Sequence, residues 1–244
     1  PTHPQLLDWL ATEVVARGWS LKEMHKLLMT SNAFMMSSAS VEKSLAADPA
    51  NNLFWRFNMR RLSAEEISDS ILAVNGTINL KYLGPSIYPE VPREVLQTSS
   101  RPGGGYRISA PADQGRRSVY IFIKRSLIPP MMSTHDLADT DSSCAVRFTT
   151  TVPTQALTML NSKFLNDQAG VFSSYLQKNA GDDVSEKVRL ALSRVFCREP
   201  VKDEIDGCVK LIKEFQAEDK FNAEQAFKYF CLLALNLNEF VYLD

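Results

Sequence analysis

The sequence predicts a mainly α fold: a multi-helix bundle with a small β element and one long irregular excursion. Three observations favour this class: apolar residues recur three and four positions apart, capping residues precede these repeats, and only one short run is β-branched and aromatic. The apolar fraction of 45% and the charged fraction of 23% are typical of globular proteins. We therefore expect one helical domain over residues 1–244, with about eight to ten helices.

Residues 1–60 predict helices joined by a small-residue linker. A capping box at Thr2 precedes a helix that Gly18 ends, and a second box at Ser20 opens the next helix. Asp48, followed by a proline, predicts a further short helix that extends to Phe57. The first helix carries an amphipathic apolar stripe, formed by Leu6, Leu7, Leu10, Val14 and Val15.

The middle of the chain changes character twice. A capping box from Ser63 to Glu66 opens a helix that ends at Asn75 and Gly76. Prolines and glycines then predict an irregular insertion over residues 77–115 within the domain, with a flexible tip at residues 103–105. The β-branched and aromatic run at residues 119–123 is the predicted β element.

The remaining chain predicts helices up to a short tail. Pro153 opens a long apolar repeat with a second cap near Ser162, and Asn222 caps a later helix. The later helix is apolar on nearly all sides, so we expect it in the centre of the bundle. Residues 239–243 predict an extended tail.

Charge and apolar patterning exclude several classes of function. Lys and Arg number 27 against 28 Asp and Glu, a net charge of -1, which disfavours nucleic-acid binding. The longest apolar run is far shorter than the roughly 20 residues that a membrane span needs. The chain starts at Pro1 rather than at an initiator Met, and a helix cap follows at once, so it looks excised or processed from a larger protein. We therefore expect an exposed apolar face that upstream helices would cover.

The cysteines carry no cofactor motif. C-x-x-C-H is absent from the sequence, so no haem is expected in this chain and no cofactor is assigned. The thiols are interpreted as buried, with a disulfide between the C-terminal helices as the alternative and Cys208 with Cys231 as its first candidate pair. The four cysteines are Cys144, Cys197, Cys208 and Cys231.

An acidic loop at residues 134–147 holds most of the candidate site. The candidate site residues are Arg117, Arg125, Asp136, Asp139 and Arg147. One interpretation is a structural clasp in which guanidinium groups hold the loop carboxylates, with Asp136 and Arg147 as the first pair. The alternative is a glycoside hydrolase site, with Asp136 and Asp139 as acid and base.

The same loop offers weak candidates for a metal site. His135, Asp139 and Asp141 supply one imidazole and two carboxylates, and a hard cation such as Ca²⁺ would accept the oxygen ligands. The loop lacks the glycine and the bidentate glutamate of a calcium-binding loop, so we predict no bound metal.

Several long segments resemble successive blocks of one family. They include THPQLLDWLATEVVARGWSLKEMHKLLMTS, DPANNLFWRFNMRRLSAEEISDSILAVNG, RRSVYIFIKRS, TTTVPTQALTMLN and LNLNEFVYLD. Together with the acidic loop, they resemble the planctomycete cytochrome-associated family known as domain of unknown function 1553. The resemblance spans essentially the whole chain, which would form the later part of the family domain. Family members often carry an aromatic residue where this chain has His135, so the resemblance implies no family-wide role for His135.

The resemblance implies a setting rather than a reaction. It implies a periplasmic or extracellular location, upstream domains of the same protein as partners, a cytochrome-c-like module nearby, and carbohydrate as a further partner. Our leading hypothesis is a non-catalytic structural or interaction domain of a large exported protein. The alternative is an extracytoplasmic hydrolase of polysaccharide, which requires carboxylates in an open cleft about 5 to 9.5 Å apart. Buried carboxylates paired with arginine would contradict the alternative.

Overall fold

Most of the chain is helical, and the mainly α prediction is confirmed. The computed structural model describes residues 1–97, 106–125 and 127–243. Strands β1 (Arg60–Arg61) and β2 (Tyr242–Leu243) pair in a two-stranded sheet. The α-helices of the described ranges are α1 (Pro4–Ala16), α2 (Leu21–Met29), α3 (Glu42–Ala47), α4 (Ala64–Val74), α5 (Arg93–Gln97), α6 (Pro111–Gln114), α7 (Pro130–Thr134), α8 (Pro153–Asn161), α9 (Lys163–Asn179), α10 (Val184–Phe196), α11 (Lys202–Ala217), α12 (Ala223–Ala234) and α13 (Asn238–Val241).

The chain divides into two compact units. One unit contains Pro1–Arg60 together with Leu243, and the other contains Arg61–Tyr242. The single domain over residues 1–244 stays a prediction, as does the status of residues 77–115 as an insertion within it.

Among the described residues, no helix combines the length and the apolar character needed to cross a membrane.

The first unit follows some of the predicted capping signals. Helix α1 starts at Pro4 with His3 at the cap position and no side-chain cap bond, so the capping box at Thr2 is wrong. His3 Nε2 instead lies 2.5 Å from the carbonyl oxygen of Asn52. Gly18 ends the first helical segment with φ of +63°, as predicted. Ser20 caps α2, since its Oγ accepts a hydrogen bond from the backbone N–H of Glu23 at 3.3 Å.

The short helix predicted after Asp48 is wrong. Helix α3 precedes Asp48, which closes it. The Asp48 carboxylate accepts a hydrogen bond from the backbone N–H of Leu53 at 2.8 Å and so stabilises a turn. Asn51 and Phe54 have φ of +53° and +54°, a left-handed conformation that a right-handed helix cannot include.

The second unit has a well-formed helical core. Helix α12 buries six residues, namely Ala226, Phe227, Phe230, Cys231, Leu232 and Ala234, which confirms its predicted central position. Phe172 of α9 and Val188 of α10 are fully buried in the same cluster. Each such side chain contributes about 1.5–3 kcal/mol through its burial. The caps at Ser162 and Asn222 are confirmed, because each accepts a backbone hydrogen bond from the first turn of its helix.

Helix α4 joins this core and begins as predicted. Ser63 Oγ accepts the Glu66 N–H at 3.3 Å, and the Glu66 carboxylate accepts the Ser63 N–H at 2.7 Å, so both halves of the capping box form. Ile67 and Ile71 are fully buried on one face of α4. The helix therefore fixes the position of the short segment that precedes it, which includes Arg61.

The β element predicted at residues 119–123 is wrong. Ser118–Tyr120 forms a 3-10 turn, and Ile121 makes only one isolated bridge, to Ile87. The backbone N–H of Ser118 donates to the Asp69 carboxylate at 2.6 Å rather than to a neighbouring strand. Val119 is 70% exposed, so its β-branched side chain has no pleated surface to pack on.

The irregular region and the tail contain short helices. Helices α5 and α6 lie within residues 77–115, and Val91, Tyr106 and Leu127 form a small separate cluster beside them. The flexible tip predicted at residues 103–105 lies outside the described residues. The predicted extended tail is correct only for β2, because α13 occupies most of residues 239–243.

Candidate functional site

Asp136 accepts more hydrogen bonds than any other side chain of the predicted site. It follows the C-terminal end of α7 and has φ of +60°, which directs the chain away from the helix axis. Its Oδ2 lies 2.6 Å from Arg61 Nη2 and 2.8 Å from the backbone N of Thr150. Its Oδ1 accepts a hydrogen bond from Thr150 Oγ1 at 2.9 Å. Both carboxylate oxygens therefore have donors within the protein.

Arg61 reaches this carboxylate from the end of β1. Only 3% of its side chain is exposed. Its Nη1 donates to the carbonyl oxygen of Leu62 at 2.9 Å, and its Nε donates to the carbonyl oxygen of Thr150 at 3.3 Å. Each nitrogen of the guanidinium group therefore donates to an acceptor, as a buried arginine requires.

Gln155 connects this pair to two helices. It is buried in the first turn of α8, and its Nε2 donates to the carbonyl oxygen of Thr134 and to Thr150 Oγ1, both at 3.1 Å. Its Oε1 accepts the backbone N–H of Val152 at 3.3 Å. The end of α7, the returning loop and the start of α8 thus meet at one point. We call Arg61, Asp136, Thr150 and Gln155 the Asp136 clasp.

The clasp keeps the Asp136 carboxyl group ionised. Burial alone would raise the pKa of Asp136, but the hydrogen bonds from Thr150 and the Arg61 guanidinium outweigh it, and the pKa is lowered. An ionised carboxylate only accepts hydrogen bonds and has no proton to donate. At neutral pH, Asp136 therefore acts as a fixed negative charge.

His135 lies next to Asp136 in the chain but serves a different role. It is buried, and its Nδ1 lies 2.9 Å from the carbonyl oxygen of Met131 and 3.1 Å from Thr134 Oγ1. A carbonyl oxygen can only accept, so Nδ1 carries the proton. Burial lowers the pKa of His135, and the nearby Arg61 charge acts in the same direction. His135 is thus a neutral packing residue that closes the end of α7.

The predicted pair of Asp136 with Arg147 is wrong. Arg147 instead binds Glu65 through two parallel hydrogen bonds of 2.7 and 2.9 Å. The sequence does not identify Arg61 as the partner of Asp136, because the two residues lie 75 positions apart. Thr150 and Gln155 were missed as well. Gln155 is the third residue of a helix that starts at a proline, and that position is the one local signal that could have identified it.

The other candidate residues form separate contacts. Arg125 lies 2.6 Å from Asp141, and both side chains are exposed. Arg117 Nε lies 3.3 Å from the Asp69 carboxylate. Asp139 accepts hydrogen bonds from the Asp141 backbone N–H at 2.9 Å and from a neighbouring serine, and these bonds lower its pKa. The structure therefore does not bring Arg117, Arg125 or Asp139 into the Asp136 clasp.

The weak metal candidates do not converge. His135 is buried, whereas Asp139 and Asp141 are exposed and hydrogen-bonded within the loop. Across residues 1–97, 106–125 and 127–243, no group of three or more His, Cys, Asp or Glu side chains could hold a metal ion. The donor set that the sequence offers for a hard cation is thus divided between the interior and the surface.

The cysteines are thiols. All four are free, so the alternative of a disulfide between Cys208 and Cys231 is wrong. Cys231 is buried, as the thiol interpretation predicts, and burial raises its pKa. Cys144 and Cys197 are exposed, which contradicts the expectation that all four would be buried.

Comparison with known proteins gives one match. A family model described as PSD1, protein of unknown function (DUF1553), matches residues 1–212. No curated protein and no solved structure matches the chain.

Proposed function

The chain belongs to the PSD1 family of proteins of unknown function (DUF1553), and we propose that its exposed surfaces define its role. We propose that it is a non-catalytic structural or interaction domain of a larger exported, multidomain protein. One observation carries the proposal: three of the five residues in the apolar stripe of α1 are exposed, and none of the five is buried.

Helix α1 has the amphipathic pattern of a helix that packs on a core, but none of its residues is buried. Its apolar residues follow the three-and-four spacing that normally faces a core. Yet α1 contains no buried residue, and Leu6, Leu7 and Val15 are 44%, 55% and 56% exposed. An apolar stripe of this kind, bordered by polar residues, is typical of a surface that another polypeptide covers.

The apolar character of the exposed side chains favours a protein partner. Burial of a leucine or valine side chain contributes about 1.5–3 kcal/mol, so covering several of them would stabilise an interface substantially. Tryptophan and leucine side chains near α1 extend the apolar surface, since Trp19 and Leu21 are also exposed. The partner we propose is an upstream segment of the same protein, as the family resemblance implies.

The Asp136 clasp supports a structural role over the hydrolase alternative. A hydrolase of this type needs one carboxylic acid with a raised pKa to protonate the leaving group. The pKa values of Asp136 and Asp139 are both lowered. Asp136 is moreover paired with the buried Arg61, which is the arrangement expected of a clasp.

Co-expression with the upstream polypeptide of the parent protein tests the interaction role. We expect the melting temperature to rise by at least about 5 °C, because each kcal/mol shifts it by about 2–4 °C in a chain of this size. Hydrogen exchange should show new protection in α1. Leu7→Asp should abolish both effects, because a carboxylate replaces an apolar contact in the covered stripe.

Thr12→Asp is the matched control. Thr12 lies on the polar side of α1 and is exposed, so its substitution should leave the stabilisation intact. No change in melting temperature on co-expression would contradict the proposal. Equal effects of the two substitutions would contradict it as well.

The exported location is a separate part of the proposal, and the family resemblance supports it. The same resemblance supports a neighbouring cytochrome-c-like module and carbohydrate as a partner. Cell fractionation of the full-length protein, with immunodetection in the periplasmic and medium fractions, tests the location. Recovery in the cytoplasm alone would contradict it.

A further inference from the structure

Residues of four helices of the second unit line a half-open cavity at the protein surface. The cavity lies among α9, α10, α11 and α12 and has a volume of about 490 Å³. Pockets for small molecules typically measure about 300–1,000 Å³. The cavity is distant in sequence from the Asp136 clasp and shares none of its residues.

The floor of the cavity is apolar. Ile212 and Phe227 line it and are themselves buried, while Val209 adds a half-buried aliphatic surface. These side chains belong to α11 and α12, whose packing holds them in place. Such a floor favours an aliphatic or aromatic group over a fully polar ligand.

The rim of the cavity is polar and carries excess positive charge. Lys187 and Lys213 line it, and neither forms an ion pair within the described part of the chain. Glu224 is the one acidic residue among the lining side chains, so the lysines exceed it in number. Gln177 and Gln216 add amide donors. A ligand that suits this rim carries a single negative charge.

We propose that this cavity binds a medium-chain organic monocarboxylate. Its carboxylate would bind Lys187 and Lys213, and its aliphatic chain would pack on Val209, Ile212 and Phe227. The apolar floor and the basic rim are adjacent, which is the arrangement that an amphipathic anion requires. A fully polar anion would leave the floor hydrated, and a neutral hydrocarbon would leave both lysines unused.

Titration of the full chain with hexanoate, octanoate and decanoate tests the proposal. We expect the affinity to rise about fourfold for each methylene that the cavity buries, the equivalent of about 0.8 kcal/mol. Amide chemical shifts should change in α10, α11 and α12. Octanol, which lacks the charge, should bind about tenfold more weakly than octanoate, because it makes no charge-assisted hydrogen bond.

Substitution of the lysines provides the decisive comparison. Lys187→Gln combined with Lys213→Gln should weaken octanoate binding by about tenfold or more. Lys210→Gln is the matched control, since Lys210 lies on α11 outside the cavity and 3.6 Å from Glu214. Its substitution should leave the affinity unchanged.

Two results would overturn the proposal. One is octanoate binding that is unchanged in the double lysine variant. The other is a set of shift changes confined to α1 and α2, whose exposed apolar residues offer a competing surface.

Discussion

Arg61 Nη2 lies 2.6 Å from Asp136 Oδ2, although the two residues are 75 positions apart in the sequence. The side chains are 3% and 20% exposed, so both charges have lost most of their hydration. Such a pair is tolerated only when the remaining donors and acceptors are also bonded, and Leu62, Thr150 and Gln155 provide those bonds.

Asp136→Asn should destabilise the protein by about 3 kcal/mol, because it leaves the buried Arg61 cation without its counter-charge. The pKa of Asp136 is lowered from 3.8, so its stabilisation is present above that pH and is lost as the pH falls through the folded-state value. Urea unfolding at pH 7, followed by circular dichroism, measures the change. The exposed Asp139→Asn is the control and should leave the free energy of unfolding nearly unchanged. Similar losses in the two variants would contradict the clasp.

Double-mutant cycles should separate the observed pairs from the one that sequence reasoning predicted. Arg61→Ala with Asp136→Ala should show a coupling energy of about 0.5–3 kcal/mol. Glu65→Ala with Arg147→Ala should show at most about 1 kcal/mol, because that pair is partly exposed. Asp136→Ala with Arg147→Ala should be additive. A strong coupling in the last cycle would restore the original prediction.

Stability should fall as the pH drops below about 6.5 and should be nearly flat between that pH and neutrality. The pKa of His135 is lowered from 6.5 by burial, so the unfolded chain takes up the proton first as the pH falls. His135→Gln should remove this dependence. His25→Gln, which alters an exposed histidine, is the control and should retain it. Unfolding free energies from pH 5 to pH 7.5 measure the slope, and an equal slope in the His135 variant would refute the assignment.

Two glycines should respond in opposite directions to alanine. A Cβ at Gly115 would lie 2.5 Å from the carbonyl oxygen of Thr77, so Gly115→Ala should cost about 1–3 kcal/mol. A Cβ at Gly207 meets nothing within 4 Å, and Gly207 lies inside α11. Gly207→Ala should therefore stabilise by about 0.5–1 kcal/mol. Melting temperatures of the two variants test the contrast, and a fall in both would show that α11 does not tolerate the added methyl group.

Local signals in the sequence were enough to predict the helical class and several helix starts. Ser20, Ser63, Ser162 and Asn222 cap helices as expected, because a cap and its partner lie within three positions of each other. The strand predicted at residues 119–123 was wrong, since β propensity depends on a neighbouring strand that the sequence cannot supply.

The candidate site was predictable only in its location. Asp136 was identified as a paired carboxylate, and the structure places it in an ion pair. Its partner was assigned to the nearer Arg147, because a single sequence carries no information on which distant residues meet. Arg61 lies two positions before the Ser63 cap, where a buried and a solvated arginine have the same local pattern.

The clasp also has a consequence for the order of folding. Gln155 and Thr134 close a segment of 21 positions, whereas Arg61 and Asp136 close one of 75. Longer loops cost more entropy to close, so the short closure should form first and Arg61 should dock late. Arg61→Ala should then accelerate unfolding and leave the folding rate nearly unchanged, which stopped-flow chevron plots can measure. A slower folding rate would instead place Arg61 in the folding nucleus. The clasp would then form early in folding, rather than after α7 and α8 have come together.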